Sequence, residues 1–256
     1  MKSKTTEKET ASDKNFINSL RSIKFNKTKK FLLYYLYFSN LIIISNSIQS
    51  SIILTITGPG TKDIFYGSQP RECYPYFDKP NEVYVNKVKK DQVLSQYDFD
   101  EGDNEVILIW NKTVTSCNCL FNFCKDIKEI NFSNFDTSNV KYMNNMFNES
   151  SSLTSLDLSN FETSELEDTE NMFLFCSSLK YINISSFKTP KLKYMTNMFA
   201  ACESLTSLDL SNFDTSQVIN MGSLFSGCGN LTSLNLSSFK TGNVQIMCAM
   251  FYGCTS

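Results

Sequence analysis

Histidine is absent from all 256 residues. That removes the commonest general base and the commonest metal ligand, and argues against triad hydrolases and the usual zinc enzymes. An excess of one charge is also missing: 24 basic side chains stand against 26 acidic ones. Such a chain has no long-range field to draw in nucleic acid or an anionic membrane. No Gly-rich phosphate loop, spaced carboxylate pair or nucleophile–base constellation can be picked out. No catalytic residue and no cofactor is therefore expected. Ser, Thr and Asn are plentiful instead, which suits a loop-rich or surface-exposed protein.

The longest apolar run, Phe31 to Ser45, is interrupted by Asn40 and is short of the roughly 20 residues that a membrane span needs. Residues 1–30 are polar, lack apolar periodicity and are expected to be disordered. Lys27, Lys29 and Lys30 abut the run, and SNSIQSS comes directly after it. Residues 31–50 thus read as a signal peptide cut after Ser47, or as an uncleaved signal anchor that is the chain's only membrane contact. A buried segment of an intracellular protein is the remaining reading.

Residues 51–126 alternate between short β-like runs and turns. Ser51–Thr57 ends at Gly58-Pro59-Gly60, and Glu82–Asn86 and Glu105–Trp110 are further strand candidates. This β-rich stretch reads as an N-terminal cap for a repeat array beginning at Ile127, or as a β-domain with its own ligand.

From Ile127 the chain repeats every 26 residues, with units beginning at Ile127, Leu153, Leu179, Leu205 and Leu231. Apolar columns run through all five units: Ile130, Leu156, Ile182, Leu208 and Leu234 in one, Phe132, Leu158, Ile184, Leu210 and Leu236 in the next. Two Phe columns come after them, 135/161/187/213/239 and 147/173/199/225/251. The LxL alternation predicts a short strand with one buried face, and the later Val, Met and Phe fall at helical spacing. Thr137, Thr163, Thr189, Thr215 and Thr241 stand at the switch, and Pro190 is next to one of them. These threonines read as helix N-caps. The expected fold is α/β: a leucine-rich-repeat solenoid with parallel strands on a concave side, short helices on the convex side and a β-rich cap before it. A degenerate unit precedes Ile127, because Leu120-Phe121 and Cys124 lie 26 residues before Met146-Phe147 and Ser150.

The unit LTSLDLSNFDTSQVINMGSLFSGCGN, Leu205 to Asn230, resembles the repeat of BspA-like leucine-rich surface proteins of bacteria and unicellular eukaryotes. The resemblance covers Ile127 to Ser256. It implies a solenoid displayed at the cell surface, with roles in adhesion or protein binding and no catalytic residues to carry over. Phe stands here where ordinary leucine-rich repeats close the strand turn with Asn, which removes the usual Asn ladder.

Cys176, Cys202, Cys228 and Cys254 form one column and read as small buried core residues. In the repeat frame Cys117 and Cys124 fall on buried columns and Cys119 on the outward Asn145/Asn171/Asn197 column. A disulfide Cys73–Cys119 is expected if the protein is exported. Cys73–Cys117 competes with it, and a zinc site using three of these cysteines is the sharper alternative.

Residues between buried strand positions point outward. They define a concave face of Glu129, Asn131, Ser155, Asp157, Tyr181, Asn183, Ser207, Asp209, Ser233 and Asn235. The face reads either as solvated filler or as a hydrogen-bonding surface for a protein or glycan. Asp157 and Asp209 sit two units apart, too far for a ready Ca²⁺ site. Asn111, Asn148 and Asn230 head N-x-S/T sequons, as do Asn131, Asn183 and Asn235 on the face itself, where a glycan would block it. The last unit ends at Cys254-Thr-Ser and is expected to expose an apolar end, open to self-association or a partner. The leading expectation is a secreted or surface-anchored binding module, the second an intracellular repeat scaffold.

Overall fold

The computed structural model describes residues 50–66 and 77–256, which belong to one compact unit, Ile48–Ser256. The signal-peptide segment, Cys73, Pro70 and Pro75 lie outside the described residues. Among those described, no helix is long and apolar enough to cross a membrane.

The first part is β-rich. Strands β1 (Ser50–Thr57), β3 (Glu82–Val85), β4 (Val88–Lys89), β6 (Asp103–Trp110) and β7 (Ile127–Asn134) form one sheet in the order β4-β3-β6-β1-β7. All of its pairings are antiparallel. β2 (Gly60–Asp63) pairs with β5 (Gln96–Phe99) in a small sheet of its own. Alternation in β1 sends Ile52, Leu54 and Ile56 into the core at 0% exposure. Gly58 is required by close approach, since a Cβ there would lie 1.8 Å from the Asp100 carbonyl oxygen.

β7 is also the strand of the first regular repeat unit. Its register with β1 sets Asn131 opposite Ile53, so the β-rich part caps the repeats by direct strand pairing. Asp78 strengthens the junction: its carboxylate accepts from Lys112 Nζ (3.2 Å), the Thr115 N–H (2.7 Å) and the Ser116 N–H (3.2 Å). The Trp110 Nε1–H donates to the Asp78 carbonyl at 2.6 Å, and its ring packs edge-on against Phe135.

The α/β solenoid expected from the sequence is overturned by the described residues, which contain no helix and whose largest sheet is antiparallel. A continuous concave parallel sheet is missing as well. β8 (Ser155–Asp157) pairs with β9 (Tyr181–Asn183), and β10 (Ser207–Asp209) with β11 (Ser233–Asn235), as two separate parallel pairs. Successive units nevertheless lie one against the next. Parallel bridges link Ser116, Tyr142, Asp168, Tyr194, Asn220 and Ile246 in turn.

The backbone explains why no helix forms. Asn145, Glu149, Asn171, Phe175, Asn197 and Ala201 all have φ between +51° and +58°, whereas an α-helix needs negative φ throughout. Each local bond closes four residues, such as Met146 N–H to the Met143 carbonyl and Ser150 N–H to that of Phe147. A left-handed residue third in such a turn is the type II signature, which favours Asn and Gly. The intervening N–H groups leave the unit altogether: those of Met143, Asn145, Phe147 and Glu149 donate to the carbonyls of Asp168, Glu170, Met172 and Leu174. Two consecutive type II turns repeat every four residues, so buried side chains recur at steps of three and four as they would on a helix. Periodicity alone does not separate the two.

The expected threonine N-caps are corrected for the same reason. Thr137, Thr163, Thr189 and Thr215 are buried, between 0% and 2% exposed. Their hydroxyls bind the next unit. Thr189 Oγ1 donates to the Asp214 carbonyl (3.2 Å) and accepts from the Asp214 N–H (3.1 Å). Thr137 with Glu162 and Thr215 with Lys240 repeat the pattern. Threonine thus supplies a polar ladder from one unit to the next.

Ring columns fill that core. Phe121, Phe147, Phe173, Phe199, Phe225 and Phe251 stack with centroid spacings of 5.4 to 6.0 Å. Phe161, Phe187 and Phe213 form a second stack, at 6.2 and 5.6 Å. Such pairs contribute about 0.5–1.5 kcal/mol each beyond the area they bury.

Candidate ligand face

The strand residues expected to point outward do so: Glu129, Asn131, Ser155, Asp157, Tyr181, Ser207, Asp209, Ser233 and Asn235 are exposed, and Asn183 is half-buried. Strand register brings Ser155 beside Tyr181 and Asp157 beside Asn183, then Ser207 beside Ser233 and Asp209 beside Asn235. Glu129 and Asn131 sit apart on β7, opposite Thr55 and Ile53 of the cap.

The Asp/Asn column is already engaged in holding the chain's shape. Asn131, Asp157, Asn183, Asp209 and Asn235 each direct Oδ1 at the N–H two residues on, at 2.8 to 3.3 Å. At Asp157, Asn183, Asp209 and Asn235 these Asx turns end a three-residue strand by satisfying a backbone donor locally, whereas β7 runs on past Asn131 to Asn134. The Asp209 carboxyl is held below the usual carboxylate range by the Ser211 N–H, then by the Ser211 hydroxyl and the Asn235 side chain. The aromatic group on this face is Tyr181, 58% exposed.

A second polar surface was missed in the sequence. It runs along the bridged column, where Tyr142, Asp168 and Tyr194 are neighbours in successive units. Asp168 Oδ2 accepts from Asn144 Nδ2 at 2.6 Å, and Oδ1 from the Glu170 N–H at 2.9 Å. Burial pushes the Asp168 carboxyl above its ordinary range, and the two hydrogen bonds only partly oppose this. Beside it, Thr196 Oγ1 donates to Glu170 Oε1 at 2.7 Å. Lys191 pairs with Glu165 (2.6 Å) and Lys193 with Glu167 (3.0 Å) across one unit spacing. Unlike charges 26 residues apart were the available signal, since only stacking makes them adjacent. Exposed pairs of this kind contribute about 0–1 kcal/mol each and serve more to fix which units are neighbours.

The cysteine column is buried at Cys176, Cys202 and Cys228 and half-buried at Cys254, and the buried thiols donate to the preceding unit: Cys176 to the Phe147 carbonyl (3.1 Å), Cys202 to Phe173 (3.2 Å) and Cys228 to Phe199 (3.0 Å). Burial pushes Cys176 and Cys228 up to about 12. Cys119 is disulfide-bonded; its expected partner Cys73 lies outside the described residues. It is also buried at 1% exposure, not outward. Cys117 is a free thiol, which removes the competing Cys73–Cys117 pairing. Among the described residues no three His, Cys, Asp or Glu groups are placed to hold a metal ion.

The sequon residues divide. Asn111 and Asn230 are exposed. Asn148 is 9% exposed and its Nδ2 donates to Asn122 Oδ1 at 3.0 Å, while Ser150 is fully buried. The fold leaves no room for a glycan on Asn148.

No curated protein and no solved structure matches the chain. A family model, described as a Mycoplasma protein of unknown function, matches residues 95–206 and again 171–256. The two matches together span more than half of the 256 residues. They include the end of the cap and every repeat unit, and on that basis the chain belongs to the DUF285 family.

Proposed function

We propose that this chain is a non-catalytic binding module of the cell exterior, secreted or surface-anchored, that recognises a protein or glycan through its strand face. The observation that carries the reading is Tyr181. A side chain of that size left 58% exposed, in register with the small Ser155, is an anchor of the kind enriched in recognition surfaces. Ser155 beside it, and Ser207 and Ser233 further along, keep the face low so that a ligand can reach the ring. Asp157 and Asp209 each direct Oδ1 at an Asx turn and still present an exposed carboxylate on the face.

Export is supported by the disulfide at Cys119, which belongs in an oxidising compartment. The apolar stretch at 31–45 and the resemblance to BspA-like surface proteins point the same way. Protease shaving of intact cells tests location: loss of residues 51–256 is expected, and their survival overturns the surface assignment. Binding is tested by offering the labelled chain to immobilised matrix proteins and glycans beside a Tyr181→Ser variant. The variant should lose most of any binding seen. Retention of full binding by Tyr181→Ser would remove the strand face as the site.

A further inference from the structure

One column of the turn segments carries side chains that its backbone disfavours. Phe123, Glu149, Phe175, Ala201 and Gly227 follow one another in successive units, all with φ between +54° and +76°. Backbone bonds align them: the N–H groups of Phe123, Glu149, Phe175 and Ala201 donate to the carbonyls of Asn148, Leu174, Ala200 and Ser226 at 2.7 to 3.0 Å. Glycine adopts such a conformation freely, whereas a bulky side chain there is an outlier. Burial does not repay the strain. Phe175 is 50% exposed and Phe123 half-buried, while Phe121 and Phe173, two residues earlier, are fully buried in the core. Strain kept at an exposed side chain points to a use outside the fold.

Lys125 indicates what that use is. Its Nζ lies 5.6 Å from the centroid of the Phe123 ring and 2.8 Å from Glu149 Oε2. The column thus already holds a cation, the chain's own, on an aromatic face and a carboxylate. It is held at one side only, because among the described residues no cation lies over Phe175. A Cβ built on Gly227 would meet Ala201 at 3.4 Å, so side chains in this column start out against the unit before them. By the same geometry Phe175 leans on Glu149 and Glu149 on Phe123.

We propose that Phe123, Glu149 and Phe175 form a site for an arginine side chain of a partner polypeptide, which takes the place of Lys125. Two unit spacings separate the phenylalanines, about 10 Å, so a cation over Glu149 can lie within about 6 Å of both rings. A guanidinium stacks flat on a ring and gives two N–H groups to one carboxylate, whereas the Lys125 ammonium is a point charge. Lys125 is also cheap to displace, since its side chain is 55% exposed and its ion pair is a surface one. An apolar occupant is disfavoured, because covering both rings would bury the Lys125–Glu149 pair without replacing its hydration. Beyond Phe175 the column shrinks to Ala201 and Gly227, which lets the backbone that carries the arginine come close. The proposal is independent of the strand face and of its ligand.

The test is an NMR titration of the isotope-labelled full chain with an acetylated, amidated Gly-Arg-Gly peptide, beside versions with lysine or citrulline in place of arginine. The arginine peptide should give saturable shifts at the Phe123, Glu149 and Phe175 amides. Lysine should bind more weakly, and citrulline, which keeps the shape without the charge, should give no shift. Phe175→Asn and Glu149→Gln should each weaken the arginine peptide by about tenfold. Asn145, Asn171 and Asn197 hold the same φ, so Phe175→Asn keeps the turn, and an unchanged urea midpoint checks this. Lys125→Ser should strengthen binding by up to about fivefold, the worth of an exposed ion pair. Unchanged affinity in Lys125→Ser or in Glu149→Gln overturns the proposal. Equal shifts with citrulline do so too, as does equal affinity for lysine or the absence of saturable shifts at these three residues.

Discussion

Replacing Phe199 by alanine removes a ring that is fully buried and stacked on both sides, on Phe173 at 5.4 Å and on Phe225 at 6.0 Å. A buried Phe→Ala change costs about 3–5 kcal/mol in lost transfer energy and residual cavity. Here the cavity cannot collapse cheaply, because each neighbouring unit is fixed by backbone bonds such as Phe199 N–H to the Leu224 carbonyl. The cost should therefore fall in the upper part of that range. Phe251 is the internal comparison: it belongs to the same column but is 50% exposed and stacks on one side only, at 5.5 Å. About half of its transfer energy is already forgone, so Phe251→Ala should cost roughly 1–2 kcal/mol on the same scale. Urea unfolding of both variants, monitored by circular dichroism and by tyrosine fluorescence, gives the comparison. Coincidence of the two probes is needed, because stacked repeats can lose units separately. Equal losses for the two variants, or a loss below about 1 kcal/mol for Phe199→Ala, would refute the account of the ring column as the main core.

Three further expectations concern the inter-unit ladders, the cap and the thiols. Thr189→Val keeps the shape of a buried side chain but removes the hydroxyl that donates to the Asp214 carbonyl; urea unfolding should show a cost of about 1–3 kcal/mol, whereas Thr189→Ser should show none, and the Asp214 amide should stay protected in both because it also donates to the Lys188 carbonyl at 2.8 Å. In Asp78, burial raises the carboxyl, but the Thr115 N–H and hydroxyl, Lys112 and the Ser116 N–H outweigh it and hold it below the usual range. A carboxyl lowered in the folded state adds stability above its unfolded pKa of about 3.9, and that stability is lost as pH falls through the lower folded value. Asp78→Asn should accordingly be less stable at pH 7 and lose less on acidification to pH 2, and an unchanged acid limb in stability measured against pH would contradict the junction described. Native labelling with a thiol reagent should modify exposed Cys248 first and half-buried Cys254 more slowly, with Cys117, Cys124, Cys176, Cys202 and Cys228 reacting only after unfolding; rapid reaction of Cys202 would show that its column opens.

Sequence alone determined that the units lie one on the next and that the Phe columns face inward, though not that Cys119 is buried. Phe173, Phe199 and Phe225 recur every 26 residues. Identical residues at a fixed spacing bury one another only when each unit lies on its predecessor. The outward position of Tyr181 was equally legible from the alternation around Ile182. The local conformation of the turn segments was decided by tertiary structure. Asn145, Asn171 and Asn197 carried a signal for left-handed turns, but Phe175 and Glu149 adopt the same φ with no such preference. Those turns persist because alternate N–H groups bond to the next unit, a partner that no window of sequence contains. The threonine column shows the same dependence: a hydroxyl before a turn has the residue type of a helix cap, and only the unit 25 residues on reveals that it bridges two layers instead. Tertiary structure likewise split the strand face into two pairs and bent the Asp/Asn column into its own turns, leaving Tyr181 as that face's large exposed group.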